Sequence, residues 1–256
     1  MSAPPRTLCF DCGGGGIKAA LLGGDGGIVE GPVRVPTPYP LRPELLVETF
    51  VGLASTLPPA GRITVGMPGM IRRGVVIETP HYVTKQGPRS KVVPSLLDAW
   101  QSFDMRAAVE VALGLPTLVL NDAEVAGAAV VEGVGLEMIL TLGTGLGNAM
   151  FLDGRLAPHA ELSQGLVRWG LTYDDYLGEH ERLRLGDAHW SGRVRRVIEG
   201  FVPVYRWDRL YLGGGNARRV TDHHRAKLPA AVTFVPNEAG MTGGVRAWEL
   251  PGAQDD

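Results

Sequence analysis

"LCFDCGGGGIKAALL", residues 8–22, places four glycines in a row between two apolar runs. Apolar runs on either side of a glycine turn read as the two strands of a hairpin. Glycine suits such turns because it reaches positive φ without steric cost. Two glycines suffice to close a hairpin, so the surplus from Gly13 to Gly16 predicts that a ligand approaches the backbone closely. "ILTLGTGLGNAMFLDG", residues 139–154, repeats the same grammar. Successive backbone N–H groups in such turns form anion-binding concavities. Two of them facing across a cleft would grip a chain of phosphates; two ordinary hairpins are the plain alternative. The polar neighbours Asp11, Lys18, Thr144 and Asn148 favour phosphate.

Two common phosphate motifs do not fit. A Walker A loop needs Ser or Thr after its lysine at the start of a helix, whereas Lys18 precedes Ala19. "GTGLG" departs from G-x-G-x-x-G and runs into an apolar strand, which argues against a dinucleotide fold.

Outward from the first turn, "GIVEGPVRVPTP" reads as a third strand and "PELLVETFVGLASTL" as a helix with apolar residues at helical spacing. "RITVGMPG" and "GVVIETP" read as strands, and residues 80–95 as a polar surface loop. "FDMRAAVEVALG" is an amphipathic helix closed by Gly114, and "PTLVLNDAEVAGAAV" a strand running into a helix. After the second turn the pattern predicts helices in "TYDDYLGEHERLRL" and "HWSGRVRRVIEGFVPVY". It then predicts strands in "DRLYLGGGNARRV" and "AVTFVP" and a closing helix in "EAGMTGGVRAWEL". Both halves thus open on a glycine hairpin and alternate strands with helices, a weak duplication that favours two α/β lobes around a cleft. The expected division is residues 1–119 and 120–237, with the closing helix at about 238–250 packing back on the first lobe.

A chain of 256 residues with 45% hydrophobic and 20% charged residues is long and apolar enough to bury a sizeable core. Its net charge of −2 makes no electrostatic case for nucleic acid or an anionic membrane. No apolar run suits a bilayer span and the N-terminus lacks a signal-peptide layout, so a cytoplasmic protein is expected. Cys9 and Cys12 form a C-x-x-C within an apparent strand, with no second pair to complete a zinc site; they read as structural.

Three spots carry candidate chemistry. Asp11 precedes the first glycine run, where a carboxylate holds Mg2+ through water beside phosphates or hydrogen-bonds its own turn. In "LND", residues 120–122, the carboxylate stands where a buried strand meets a helix. It is either an N-cap or a base that takes a proton from a hydroxyl nucleophile. "PHAELSQG", residues 158–165, offers His159, Glu161 and Gln164 to a polyhydroxylated ligand.

Together these pieces resemble the ROK family of sugar kinases and regulators, most closely its short glucokinase and polyphosphate-glucokinase-like members, over nearly the whole chain. "FDCGGGGIKAALL" is similar to the family's D-x-G-G-T-x-x-K phosphate loop and "VGMPGMIRRGVV" to its G-x-P-G segment. "LNDAEVAGAAV" resembles the run through its catalytic N-D-A, "LTLGTGLGNAMFLDGRLAPHAEL" the second phosphate loop and sugar loop, and "LYLGGGNARRV" the adenosine-side loop. The resemblance implies an actin-like ATPase fold, two ribonuclease-H-like lobes closing over substrate. It makes Asp122 the base, Asn121, Glu161, Gln164 and Gly69 sugar-side residues, and Asp11 the residue that holds Mg2+ through water. Gly13, Gly14, Gly15, Gly16, Lys18, Gly143, Thr144, Gly145, Gly213, Gly214 and Gly215 would face the phosphates or nucleotide of ATP or polyphosphate. The implied reaction is phosphoryl transfer to a hexose 6-OH; the partners are a sugar and a phosphoryl donor, and relatives are frequently homodimers.

The departures are specific. Gly15 stands where the family usually has Thr or Ser, and Gln164 stands where its E-x-G-H sugar loop has histidine. The cysteine-rich zinc motif is absent, so no zinc is expected. The alternative reading is a sugar-responsive regulator without its own DNA-binding domain, since the phosphate loop starts about ten residues in. Arg72, Arg73, Lys85, Arg89 and Lys91 are candidates for a polyphosphate track or a solvated surface.

Overall fold

The Gly13–Gly16 turn joins β1 (Thr7–Gly13) to β2 (Gly16–Leu22) antiparallel, setting Asp11 opposite Lys18. The structure, a computed structural model, describes residues 4–254. β3 (Ile28–Val35) continues the meander, and α1 (Pro43–Ala54) crosses to β4 (Arg62–Met67), parallel to β1. A small hairpin, β5 (Met70–Arg72) and β6 (Val75–Glu78), leads to α2 (Pro94–Trp100) and α3 (Met105–Leu113). Gly114 closes α3 in the left-handed conformation, and β7 (Thr117–Asn121) completes a sheet of order β3-β2-β1-β4-β7. β7 belongs whole to this first sheet although it straddles residues 119 and 120.

α4 (Asp122–Ala128) leads into β8 (Leu136–Leu142), β9 (Leu146–Leu152) and the short β10 (Arg155–Leu156). A hairpin, β11 (Leu166–Arg168) and β12 (Leu171–Thr172), precedes α5 (Tyr173–Leu177) and α6 (Glu179–Tyr205). The predicted helix over 172–185 is broken at Gly178, whose ψ of 165° is extended, and α6 is kinked at Gly186. β13 (Arg209–Gly213), α7 (Asp222–Arg225) and β14 (Val232–Phe234) finish a second sheet of order β10-β9-β8-β13-β14. In each sheet a three-strand antiparallel meander is extended by two parallel strands, so the duplication is one of topology.

Each lobe fills its own core. Phe10 stacks on Phe50 at 4.3 Å between the first sheet and α1, and Trp100 donates its indole N–H to the Leu41 carbonyl. In the second lobe Trp190 does the same to Leu177, among Phe201, Leu210 and Leu212. Burying each such side chain contributes roughly 1.5–3 kcal/mol. Residues 80–95 are not simply the surface loop that their polarity predicts. Tyr82 is fully buried with its ring 5.4 Å from Trp100, which anchors the segment to the first core.

Between the lobes lies a layer of two helices, α4 and α8 (Ala239–Arg246). The small side chains of Ala123, Ala126 and Ala128 let α4 fit against Ile139 and Phe151 of the second sheet and Leu120 of the first. α8 packs on α4 and on the first sheet, where Thr64 donates its hydroxyl to the Gly244 carbonyl at 2.7 Å. Cys9 and Cys12, three apart in β1, face opposite sides: Cys9 lies under Met241 and Val245 of α8, Cys12 in the first core. Both are free and buried, and burial pushes both thiols up, so neither is a reactive thiolate.

Candidate functional site

A cleft of about 210 Å³ opens where the ends of the two sheets face each other, and most of the singled-out residues line it. Asp11 and Lys18 enter from the first hairpin as an ion pair, Lys18 Nζ donating to Asp11 Oδ2 at 2.6 Å. Gly13 and Gly14 line the wall beside them. Gly15 and Gly16 do not: Arg34 of β3 donates to the Gly15 carbonyl at 3.1 Å and packs against Gly16. From the opposite lobe come Gly143, Thr144 and Gly145, and then Gly213, Gly214 and Gly215. Asn216 ties these two loops together by donating from Nδ2 to the Gly143 carbonyl.

At the floor, Asn121 caps α4 in a reciprocal capping box. Its Oδ1 accepts the Ala123 N–H, and Glu124 Oε2 accepts the Asn121 N–H at 2.8 Å. The N-cap is therefore Asn121, and Asp122 is left in the first turn with its carboxylate in the cleft. Asn121 also donates from Nδ2 to the Gly69 carbonyl at 2.8 Å; Gly69 has φ of 104° and brings the G-x-P-G segment against the floor. Asp122 Oδ1 accepts the Ala123 N–H at 2.9 Å. Burial, with the nearby charges of Asp11 and Glu161, pushes the Asp122 carboxyl up to about 7, against the Ala123 N–H and the His159 charge.

The loop over residues 158–165 is held by Asn148 of β9, whose Oδ1 accepts the Leu162 N–H at 3.2 Å. Glu161 and Ser163 face the cleft, but Gln164 does not. In the single 3-10 turn Leu162–Gln164, Ser163 turns inward and Gln164 is exposed, donating to the Ser163 hydroxyl at 3.0 Å. Burial raises the Glu161 carboxyl, but hydrogen bonds from His159 and Ser163 and the charges of His159 and His81 outweigh it and hold it low.

Several cleft residues carried no signal in the sequence. His81, from the supposed surface loop, and Asp174, from the first turn of α5, meet across the cleft with Nε2 and Oδ2 3.8 Å apart. Asp174 Oδ1 accepts the Leu146 N–H at 2.7 Å, and burial raises its carboxyl. Pro236 and Asn237 add to the walls, as does Pro68 of the G-x-P-G segment. Arg72, Arg73, Lys85, Arg89 and Lys91 are all exposed and none lines the cleft; Arg89 instead faces Asp175 at 3.8 Å.

Among the described residues no group of three or more His, Cys, Asp or Glu is placed to hold a metal ion. Asp11 nevertheless suits Mg2+, which is held through one or two carboxylates, water and substrate phosphates rather than by an all-protein cage. It is a hard oxygen donor on the cleft wall beside the first glycine turn. No helix among the described residues is long and apolar enough to cross a membrane.

Comparison with known proteins places this cleft in context. The profile of the ROK family matches residues 7–158. The polyphosphate glucokinase of Mycobacterium tuberculosis is 26% identical over 252 residues, covering 93% of this chain and 89% of that one. N-acetylmannosamine kinase of Escherichia coli is 32% identical over 155 residues, 59% of this chain and 48% of that one. Among solved structures, the inorganic polyphosphate/ATP-glucomannokinase from Arthrobacter sp. strain KM superposes with a TM-score of 0.77 at 29% identity, covering 95% and 99% of the two chains. A glucokinase from Streptomyces griseus, solved with glucose and AMPPNP, superposes with a TM-score of 0.69 at 20% identity, covering 94% and 98%. The two lobes form the actin-like ATPase fold.

Proposed function

We propose that this chain, which belongs to the ROK family, is a glucokinase-like sugar kinase that transfers a phosphoryl group from ATP or polyphosphate to a hexose hydroxyl. The observation that carries the reading is the position of Asp122 at the floor of a cleft whose opposite walls each present a glycine turn. A base whose pKa lies near the working pH combines the ionised state with useful basicity, and the Asp122 carboxyl, at about 7, meets that condition.

Asn121, Glu161 and Ser163 surround the floor with donors and acceptors suited to sugar hydroxyls. The reactive hydroxyl gives its proton to Asp122 at Oδ2, since Oδ1 is held by the Ala123 N–H. Its oxygen then bonds to the terminal phosphorus of the donor as the bridging bond to the rest of the donor breaks. Positioning and charge neutralisation supply most of the catalysis in such transfers. The amides of Gly13, Gly14, Thr144 and Gly145, with Lys18, would provide both from this chain, the Gly143 N–H being taken by the Gly145 carbonyl at 3.0 Å. Asp11 would hold Mg2+ through water, and the ion would neutralise charge on the donor phosphates. A groove lined by Gly214, Gly215, Arg218, Arg225 and Phe234 adjoins the cleft past the third glycine loop; a nucleoside or further phosphates would leave along it.

The test is a coupled phosphoryl-transfer assay crossing ATP and polyphosphate with a panel of hexoses, in Mg2+ and in excess chelator. Turnover in Mg2+ that chelator stops is the expected result. Sugar binding without turnover for every pair would replace the kinase with a sugar-responsive regulator.

A further inference from the structure

His159 is buried between two carboxylates from different elements. Its Nδ1 lies 3.1 Å from Glu124 Oε1 and its Nε2 3.5 Å from Glu161 Oε2. Glu124 is also engaged on its second oxygen, which accepts the Asn121 N–H. One chain of contacts therefore runs from the α4 cap through Glu124 and His159 to the sugar loop. A neutral imidazole has a single N–H and would turn a lone pair towards one of the two carboxylates; an imidazolium donates to both. Burial works against that charge, yet the hydrogen bonds and charges of Glu124 and Glu161 outweigh it and raise the ring to about 10. Other titratable groups act on this cluster through their charges: Asp122, on the first turn of α4, on His159, and His81 of the facing lobe and Asp174 of α5 on Glu161.

We propose that His159, as an imidazolium clamped between Glu124 and Glu161, is a positioning residue that holds Glu161 ionised and aimed at the sugar hydroxyls. With Gln164 turned outwards, Glu161 and Ser163 are the polar side chains that the sugar loop presents to the cleft. The orientation of Glu161 therefore decides how firmly the acceptor is gripped. The inference rests on the sugar-kinase reading, because it names how the acceptor side of that site is held.

The experiment compares wild type, His159→Asn, Glu161→Gln and the double variant, with D-glucose as probe, by calorimetry and by the coupled assay. In His159→Asn the glucose Kd and KM rise about tenfold or more, the scale of a lost hydrogen bond to a charged group. At about pH 8.5, where Asp122 is ionised, kcat at saturating glucose stays within about threefold of wild type. In the Glu161→Gln background the same substitution adds less than about twofold, because the residue through which His159 acts is already altered.

Glucose affinity in His159→Asn within about twofold of wild type would overturn the proposal. So would full multiplication of the two penalties, the signature of an independent structural role. His159→Gln, which keeps a polar side chain of similar reach, repeats the measurement if the Asn variant does not fold; loss of fold in both would leave His159 a stability role alone and reject positioning. Wild type that turns glucose over while His159→Asn binds it unchanged sinks the positioning role but not the kinase. Wild type that binds glucose without turnover sinks the kinase, and the affinity of His159→Asn still decides the positioning role. Failure of wild type to bind glucose rejects both.

Discussion

The two glycine turns have the same sequence grammar and need glycine for different physical reasons. None of Gly13–Gly16, Gly143 or Gly145 has positive φ, so what these glycines supply is room rather than backbone freedom. In the first turn a Cβ built on Gly15 meets nothing within 4 Å. In the second, a Cβ on Gly145 would come within 2.1 Å of Asp174 Oδ1, the oxygen that accepts the Leu146 N–H. Each turn keeps open space at one glycine, Gly15 in the first and Gly143 in the second; Pro88 and Arg34 crowd Gly14 and Gly16, and the second turn has given the space at Gly145 to a carboxylate of its own lobe. A run of glycines therefore says that something comes close to the backbone, and not whether it is a ligand or the protein itself.

The largest expected effect concerns what lies between the turns. If the turns position the donor and Asp122 alone takes the proton, Asp122→Asn lowers kcat by about 100-fold to 10,000-fold with sugar affinity little changed. Near-normal turnover in that variant would mean that the turns and charges suffice, and the division of labour between walls and floor would collapse. The same base sets the acid limb. Asp122 must be ionised to act, its carboxyl titrates at about 7, and so kcat/KM is retained above that pH and falls about tenfold per unit below it. A rate profile flat down to pH 5 would break the assignment.

Smaller effects sharpen the contrast between the turns themselves. Gly145→Ala must displace Asp174 and is expected to cost about 1–3 kcal/mol, a fall of several degrees in thermal midpoint. Calorimetric unfolding equal to wild type would show that Gly145 is as open as Gly15. Gly15→Thr has room and no positive φ to oppose it, so stability changes by less than about 0.5 kcal/mol. With Gly15 off the cleft wall, the donor KM stays within about twofold of wild type. A large loss of stability there would mean that Gly15 too is packed from within.

Much of this molecule was legible in order along the chain. The paired hairpins, the strand running into "LND", the Gly114 stop and the apolar faces of α1 and α3 are local signals of period and turn chemistry, and the structure has each of them. Local signals failed where burial depends on a distant partner. Tyr82 sits in a polar stretch yet goes inside because Trp100 offers it a surface. Gln164 and Ser163 are equally polar in sequence, and the phase of one 3-10 turn decides that Ser163 enters the cleft. His81 and Asp174 lie 93 positions apart and meet because the lobes face each other.

By itself the amino-acid sequence determined the two-lobed α/β architecture, the glycine turns and the Asn121–Asp122 junction, because hydrogen-bonding period and turn preference act over a few neighbouring residues. Only the tertiary structure decided which glycines line the cleft, and that His159 is clamped between Glu124 and Glu161. It also decided that Asp122 titrates near neutrality, since desolvation and charge coupling depend on what the folded chain brings within a few ångströms.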